Sequence, residues 1–237
     1  MTLLRRTAVA HAALFVLFAI LALVDGTEIT GLNRWIKPMK FAASIAIYLG
    51  SLAYFWPLAV AAERAKERAA RVLAGTLIFE IAIIASQAAR GVRSHFNVET
   101  ALDGALFQVM GLAIVANIVT AAIVCRWTFR AAPSAYVWGV RLGLALFVVF
   151  AFEGFLMVQR MGHSVGVPDG GPGLPVVNWS TEGGDLRVAH FVGMHALQAL
   201  PLAGWLTGRA GAVFALAALW AGLAAAALLQ ALAGRPL

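Results

Sequence analysis

AVFALAALWAGLAAAALLQAL, residues 212–232, contains one strongly polar side chain, Gln230. At 1.5 Å per residue a helix of this length covers the ~30 Å hydrocarbon core of a bilayer. A helix on a soluble protein would show a polar stripe, and this one is apolar all round. The run therefore reads as a transmembrane helix. Working back along the chain, similar runs fall at 7–24, 38–60, 72–90, 104–125, 137–158 and 186–207, and the last one opens at 211. Together they predict an all-α, polytopic membrane helix bundle of about seven transmembrane helices forming a single domain over 1–237. The composition agrees: 62% of residues are hydrophobic, 12% are charged, and mean hydropathy is +0.85, against roughly half apolar in soluble domains.

The first run follows Arg5-Arg6 and no small-residue cleavage site comes after it, so it reads as a retained helix rather than a signal peptide. Cys125 is the single cysteine, which excludes an internal disulfide and a cysteine metal cluster. The net charge of +7 needs no nucleic acid to account for it, because basic flanks on membrane helices are topology and lipid-headgroup signals.

Orientation follows from those flanks. With the N-terminus in the cytoplasm, Arg5, Arg6, the run ERAKERAAR at 63–71, Arg126, Arg130 and Arg209 fall inside. The numbers on the two sides are close, but the inner charges stand in bare solvated runs. The outer ones are interleaved with His, Asp, Asn, Gly and Trp. An odd number of spans leaves the C-terminus outside, and the expected location is a bacterial cytoplasmic (inner) membrane.

Three stretches then meet the outer face: GLNRWIKPMKF (31–41), RGVRSHFNVETALDG (90–104) and the long connection ending GGDLR. Helix connections in bundles are usually short, so the loop 159–185 calls for a reason. Val165, Val167, Leu174, Val176, Val177 and Trp179 lie among its glycines and prolines, which argues for a folded extracytoplasmic lid over disorder. The plainer alternative is a plug that covers helix ends.

Polar residues inside the spans are the second layer. Glu80, Gln87, Gln108, Asn117, Glu153, His195, Gln198 and Gln230 lie at depths where lipid cannot satisfy them, so they are expected to face the bundle interior. Glu80 and Glu153 could floor a cavity open to the outside, or be protonated carboxyls bonded between helices or paired with Arg90, Arg141 or Arg160. His95, His163, His190 and His195 fall on the outer side, whereas His11 lies near the cytoplasmic end and reads as structural. In GGDLRVAHFVGMHALQALPLAGW (183–205), Asp185 is a good N-cap and Pro201 falls late in the helix. The five-residue step from His190 to His195 turns about 140° around that helix, so the two cannot share one metal as an i, i+4 pair does.

The strings GLNRWIKPMKFAASIAIY, ARGVRSHFN, PDGGPGLPVVNWS and GDLRVAHFVGMHALQALP together resemble a widespread family of multi-pass bacterial membrane proteins, a likeness that spans nearly the whole chain and implies no activity. In its ingredients the chain is also similar to the seven-helix zinc hydrolases typified by alkaline ceramidases and adiponectin receptors. Those sites use three histidines with an Asp and a Ser, residue types that Ser94, His95, Asp103, His190 and His195 supply here. The chain departs from them in carrying HxxxxH where they carry HxxxH, and in placing its SH pair outside a helix.

Three function classes follow. The first is a membrane-embedded enzyme, a hydrolase or transferase, acting at the outer surface on an amphipathic or lipid-linked substrate. Its head would meet Arg34, Lys37, Lys40, Arg90, Arg93 and Arg187, cations suited to phosphate or carboxylate, with Gln198 beside them. Its catalytic candidates are His95, His195, Asp103, Glu153 and Glu80, with Asp185 as a further acidic partner. Its metal candidates are His95, His163, His190 and His195, with zinc as one candidate ion and hydrogen-bonding, packing or general acid–base work as the alternative for these rings. The second is a haem b protein exchanging electrons with quinone, with His195 and His95 as axial ligands. The third is a proton-coupled transporter or small-molecule sensor built on Glu80 and Glu153. A retinal protein is excluded, since 212–232 carries no lysine for a Schiff base. Membrane lipids are the expected partners, and the last helix is a candidate surface for a homo-oligomer.

Overall fold

The computed structural model describes residues 2–236. Its elements run α1 (Leu3–Val24), β1 (Glu28–Ile29), β2 (Leu32–Asn33), α2 (Ile36–Phe55) with a 3₁₀ turn at Trp56–Leu58, α3 (Glu63–Ala89), α4 (Ala101–Thr128), α5 (Ala135–Glu153), α6 (Phe155–Arg160), β3 (Ser164–Val165), β4 (Gly184–Asp185), α7 (Leu186–Thr207) and α8 (Ala210–Leu232). Six helical segments are long and apolar enough to cross a membrane: Leu3–Val24, Ile36–Leu58, Glu63–Ala89, Ala101–Thr128, Ala135–Arg160 and Ala210–Leu232. α7, the sixth run of the sequence reading, matches them in length at 22 residues but is less apolar, because Arg187, His190, His195 and Gln198 interrupt it.

Two compact units divide the chain. The first holds residues up to Trp56 together with Ala62–Thr120, and the second holds Pro57–Ala61 with everything from Ala121 onward.

In the first unit α1 packs on α2, and α3 packs on both. Thr2 caps α1 by accepting from Arg5 N. Pro38 stands in the first turn of α2, where its missing N–H costs nothing. α3 begins nine residues before the apolar run at 72, because ERAKERAAR is itself a good helix former whose Glu63 complements the N-terminal dipole. Leu49, Leu52, Leu73, Ile84 and Met110 form the core at 1% exposure or less. Asn117 is satisfied inside it: Nδ2 donates to Thr76 Oγ1 at 2.8 Å and to Leu73 O at 3.2 Å, and Oδ1 accepts from Tyr48 at 3.2 Å. Gln108 lies on an exposed face of α4 instead of the interior expected for it.

The second unit is organised by an unusually close pair, α5 against α7. On α5, Gly139 and Gly143 form a GxxxG pair, the spacing that lets helix backbones touch. A Cβ on Gly139 would stand 2.4 Å from Leu200 O, and one on Gly143 would stand 2.8 Å from Ala196 O. From α7, Gly193 receives the Phe150 ring and Gly204 meets Ala135 O. Leu144, Ala196, Leu197 and Leu200 are sealed at 0% exposure between them. α8 packs on α7, with Ala217 and Trp220 against Ala196 and Leu200.

Arg141, 3% exposed on α5, explains how a permanent cation sits within an apolar run. Its guanidinium donates to Thr128 O and Ala131 O, closing the frayed end of α4. It also lies 4.9 Å from the Phe129 ring centre and 4.7 Å from that of Trp138, so aromatic faces replace a carboxylate.

The connection between α6 and α7 is folded. Ser164 and Val165 pair antiparallel with Asp185 and Gly184, Gly173 bridges Ser180, and Leu174 N donates to Trp179 O. Gly184 is dictated by contact, since a Cβ there would fall 2.0 Å from Ala231 O on the last turn of α8.

Candidate functional site

Each unit holds one buried glutamate facing one histidine. In the first, α3 turns sharply at its end: Gly91 takes φ +74° and Val92 N donates back to Gln87 O. The following segment folds against the bundle, burying Ser94 and Asn97 at 4% and 1% exposure. Asn97 fixes the turn, its Nδ2 donating to Arg93 O and its Oδ1 accepting from Glu99 N. This carries His95 to Glu80, nine residues before the end of α3.

His95 Nε2 lies 3.4 Å from Glu80 Oε1, and His95 Nδ1 lies 3.1 Å from Ser94 Oγ. Phe41, Phe96 and Phe107 surround the imidazole, with ring centres 5.5, 6.1 and 6.2 Å away. Burial, reinforced by the nearby Lys37 cation and only partly offset by Glu80, lowers the His95 pKa from its ordinary value. The ring is therefore neutral near pH 7 and carries one proton, on Nδ1 or on Nε2. Glu80 itself is 2% exposed, and its second oxygen, Oε2, has no hydrogen-bond partner.

The sequence reading offers Asp103, Glu153 or Asp185 as the acidic partner of a histidine base, and in the structure Asp103 is bound to other groups. Gln87 Nε2 and Arg90 Nη1 each donate to Asp103 Oδ1 at 2.8 Å, and Thr100 Oγ1 donates to Oδ2 at 2.6 Å. Those donors consume its accepting capacity and tie α3 to the first turn of α4. The basic residues expected to receive a substrate head are likewise engaged. Arg34 pairs with Asp25 at 2.5 Å, Arg93 with Glu99 at 2.9 Å, and Arg187 with Asp185 at 2.5 Å. Asp25, which sequence reasoning passed over, gathers Thr27 N, Trp35 Nε1 and Arg34 Nε. Those bonds, led by Thr27 N, hold its carboxyl far below the usual carboxylate range.

In the second unit Glu153 ends α5 and is 9% exposed. Gly154 breaks the helix before α6, and the His190 ring packs on it: a Cβ there would be 3.0 Å from His190 Cε1. His190 Nδ1 lies 2.7 Å from Phe150 O and 3.4 Å from Glu153 Oε2. A carbonyl only accepts, so Nδ1 carries a proton and, in the neutral ring, Nε2 carries the lone pair.

The remaining histidines point to local partners. His163 Nδ1 is 3.0 Å from Asp169 Oδ1, and Asp169 also accepts from Ser164 N at 2.8 Å. His195 Nδ1 is 3.1 Å from Gln198 Oε1, and its ring lies tilted against Phe191 with ring centres 4.2 Å apart. His11 Nδ1 donates to Thr7 O at 2.8 Å, a structural role. Among the described residues no three His, Cys, Asp or Glu side chains come together to hold a metal ion. The expected ligand set of His95, His163, His190 and His195 is therefore not assembled, because each ring is turned to a separate acceptor. Asp185 caps α7 through Arg187 N and accepts from Ser180 N. Its pKa is lowered: the Arg187 pairing and backbone donors outweigh burial, the largest single influence, which acts the other way.

No family model, no curated protein and no solved structure matches the chain.

Proposed function

We propose that this chain is a seven-span protein of the bacterial cytoplasmic membrane, N-terminus inside and C-terminus outside, that acts as an extracytoplasmic enzyme on an amphipathic or lipid-linked substrate. α7 is the span added to the six long apolar helices, packed on α5 and α8. The loop 159–185 serves as a lid that limits water at the outer surface. The exposed apolar faces meet lipid, and α8, which exposes Phe214, Leu219, Leu223 and Leu229, is the surface for self-association.

The observation that carries the reading is the continuous chain Ser94 Oγ, His95 Nδ1, His95 Nε2, Glu80 Oε1, with steps of 3.1 and 3.4 Å. In one tautomer Ser94 donates to Nδ1 and Nε2–H points at Glu80 Oε1, the arrangement of a nucleophile, its base and an orienting acid. His95 withdraws the Ser94 proton as Oγ attacks a carbonyl or phosphoryl centre of the substrate, and then returns that proton to the leaving group. The step at 3.4 Å is longer than a working hydrogen bond, and such contacts commonly tighten when substrate arrives. Lys37, close enough to act on His95 electrostatically, keeps the base neutral and ready.

The test needs no known substrate. A fluorophosphonate probe, which reacts with activated serines, is added to the protein in nanodiscs, and the labelled residue is mapped by peptide mass. Labelling at Ser94 that vanishes in Ser94→Ala and falls at least 100-fold in His95→Gln is expected, in line with the cost of losing a base. Labelling elsewhere, or equal labelling in His95→Gln, rejects the nucleophile assignment.

A further inference from the structure

The Glu153 and His190 pair lies in the second unit and plays no part in the Ser94 chemistry. The Glu153 side chain is 5% exposed, yet neither Oε1 nor Oε2 has a hydrogen-bond partner. The one nearby donor, His190 Nδ1–H, is spent on Phe150 O at 2.7 Å and reaches Oε2 only at 3.4 Å. An ionised carboxylate here would be a buried charge without a compensating donor, a penalty of several kcal/mol that such groups escape by taking up a proton. Among the described residues no Lys or Arg is paired with Glu153 to change that balance. α8 carries no titratable side chain between Ala210 and Leu232. On α7, Arg187 is bound to Asp185 and Asn178 O, and His195 is turned to Gln198. On α6, Arg160 is exposed at the helix end.

We propose that Glu153 and His190 form a proton-binding site in which Glu153 is the loaded carboxyl and His190 its entry relay. His190 is 26% exposed where Glu153 is sealed, so the proton reaches the ring first. It adds to the lone pair on Nε2, the Nδ1 proton passes to Glu153 Oε2, and the neutral ring, now protonated on Nε2, loses that proton to water and regains one on Nδ1, which restores the bond to Phe150 O with one proton moved inward. The site lies at the break between α5 and α6, where Gly154 leaves room for the His190 ring and nothing more. Helix interruptions of this kind are where membrane proteins bring coupling protons and ions into contact with backbone. The function added to the chain is proton uptake, independent of Ser94 and Glu80.

Infrared spectroscopy of the full-length protein in nanodiscs tests this. Samples carry ¹³C-labelled glutamate, so that glutamate carboxyl bands are recognised by their isotope shift. Glu28, Glu63, Glu67, Glu99 and Glu182 are all exposed, which leaves Glu80 and Glu153 as the buried glutamates from which a protonated band would come. A protonated glutamate band at neutral pH that survives in Glu80→Gln and is lost in Glu153→Gln supports the site. Absence of that band in Glu80→Gln overturns it, as does its persistence in Glu153→Gln, and either variant alone decides the matter if the other does not fold. After a pH jump, His190→Gln is expected to slow the change in the Glu153 band at least tenfold, and an unchanged rate overturns the relay. Fluorophosphonate labelling of Ser94 in Glu153→Gln remains at the wild-type level, which separates this result from the fate of the enzyme reading.

Discussion

Replacing Gly139 with alanine adds one methyl group at the point where α5 and α7 come closest. That methyl would stand 2.4 Å from Leu200 O and 2.7 Å from Pro201 Cα. An ordinary contact begins near 3.4 Å, so the two helices must separate by about 1 Å. Both obstructing atoms are backbone, and no side chain can swing aside. A gap of 0.5–1 Å forfeits about a quarter to a half of the dispersion between facing atoms, and overpacking of this kind costs about 1–3 kcal/mol. For a chain of this size each kcal/mol lowers the melting temperature by roughly 2–4 °C, giving an expected loss of about 2–12 °C. The control is Gly222→Ala on α8, where an added Cβ meets nothing within 4 Å and the gain in helix propensity gives a change of zero to about +1 kcal/mol. Thermal unfolding of both variants in one detergent, followed by tryptophan fluorescence, makes the comparison. Equal melting temperatures for Gly139→Ala and Gly222→Ala would refute the close backbone approach of α5 and α7.

Arg141→Leu leaves Thr128 O and Ala131 O buried without their donor, and a loss of about 2–5 kcal/mol in urea unfolding is expected; a loss below 1 kcal/mol contradicts the capping role. His95 has a depressed pKa, so the unfolded chain binds its proton more readily than the folded one. Stability therefore falls as pH drops below about 6.5 towards the folded value, and that slope should flatten in His95→Gln, as measured by melting temperature against pH. Asp185 is depressed as well, so its contribution is complete above the ordinary carboxylate pKa and is lost as pH falls through the folded one. Asp185→Asn should speed protease cleavage within 159–185 at neutral pH, with little effect at low pH. Chelation before fluorophosphonate treatment is expected to leave Ser94 labelling unchanged, which mass spectrometry of the labelled peptide reads directly.

The helices were legible because hydrocarbon imposes a length and a composition, and both are properties of sequence. Their ends were less so: α3 starts at Glu63 although the apolar signal starts at 72, since helix propensity continues through charge where hydropathy stops. Glu80 and His95 were each legible as candidates, but their meeting was not, because it depends on a turn at Gly91 folding the chain back on α3. Asp103 drew attention as an acid near a histidine, and only three-dimensional donors from Gln87, Arg90 and Thr100 reveal it as a knot. The acidic partners of the cations were hidden for a related reason: sequence counts charges, and the pairing of Arg34, Arg93 and Arg187 with Asp25, Glu99 and Asp185 depends on neighbours in space. The choice of His95, His163, His190 and His195 as metal candidates rested on shared depth, which says nothing of direction. Gly139 and Gly143 stood in the sequence as a GxxxG signal that periodicity of large apolar residues conceals.

The contact between Gly184 and Ala231 also sets an order of events during synthesis. Membrane chains are made from the N-terminus, and their early elements fold while later ones are still absent. The ribbon of β3 and β4 is emitted before α7 and α8, yet Val165 and Leu186 complete their apolar cluster only with Ala231, in the final turn of α8. Until the last helix has been inserted, that ribbon has its strands and lacks its wall. Closure over the second unit is thus the last step of assembly, and a chain truncated before Ala231 would lack the wall of that cluster.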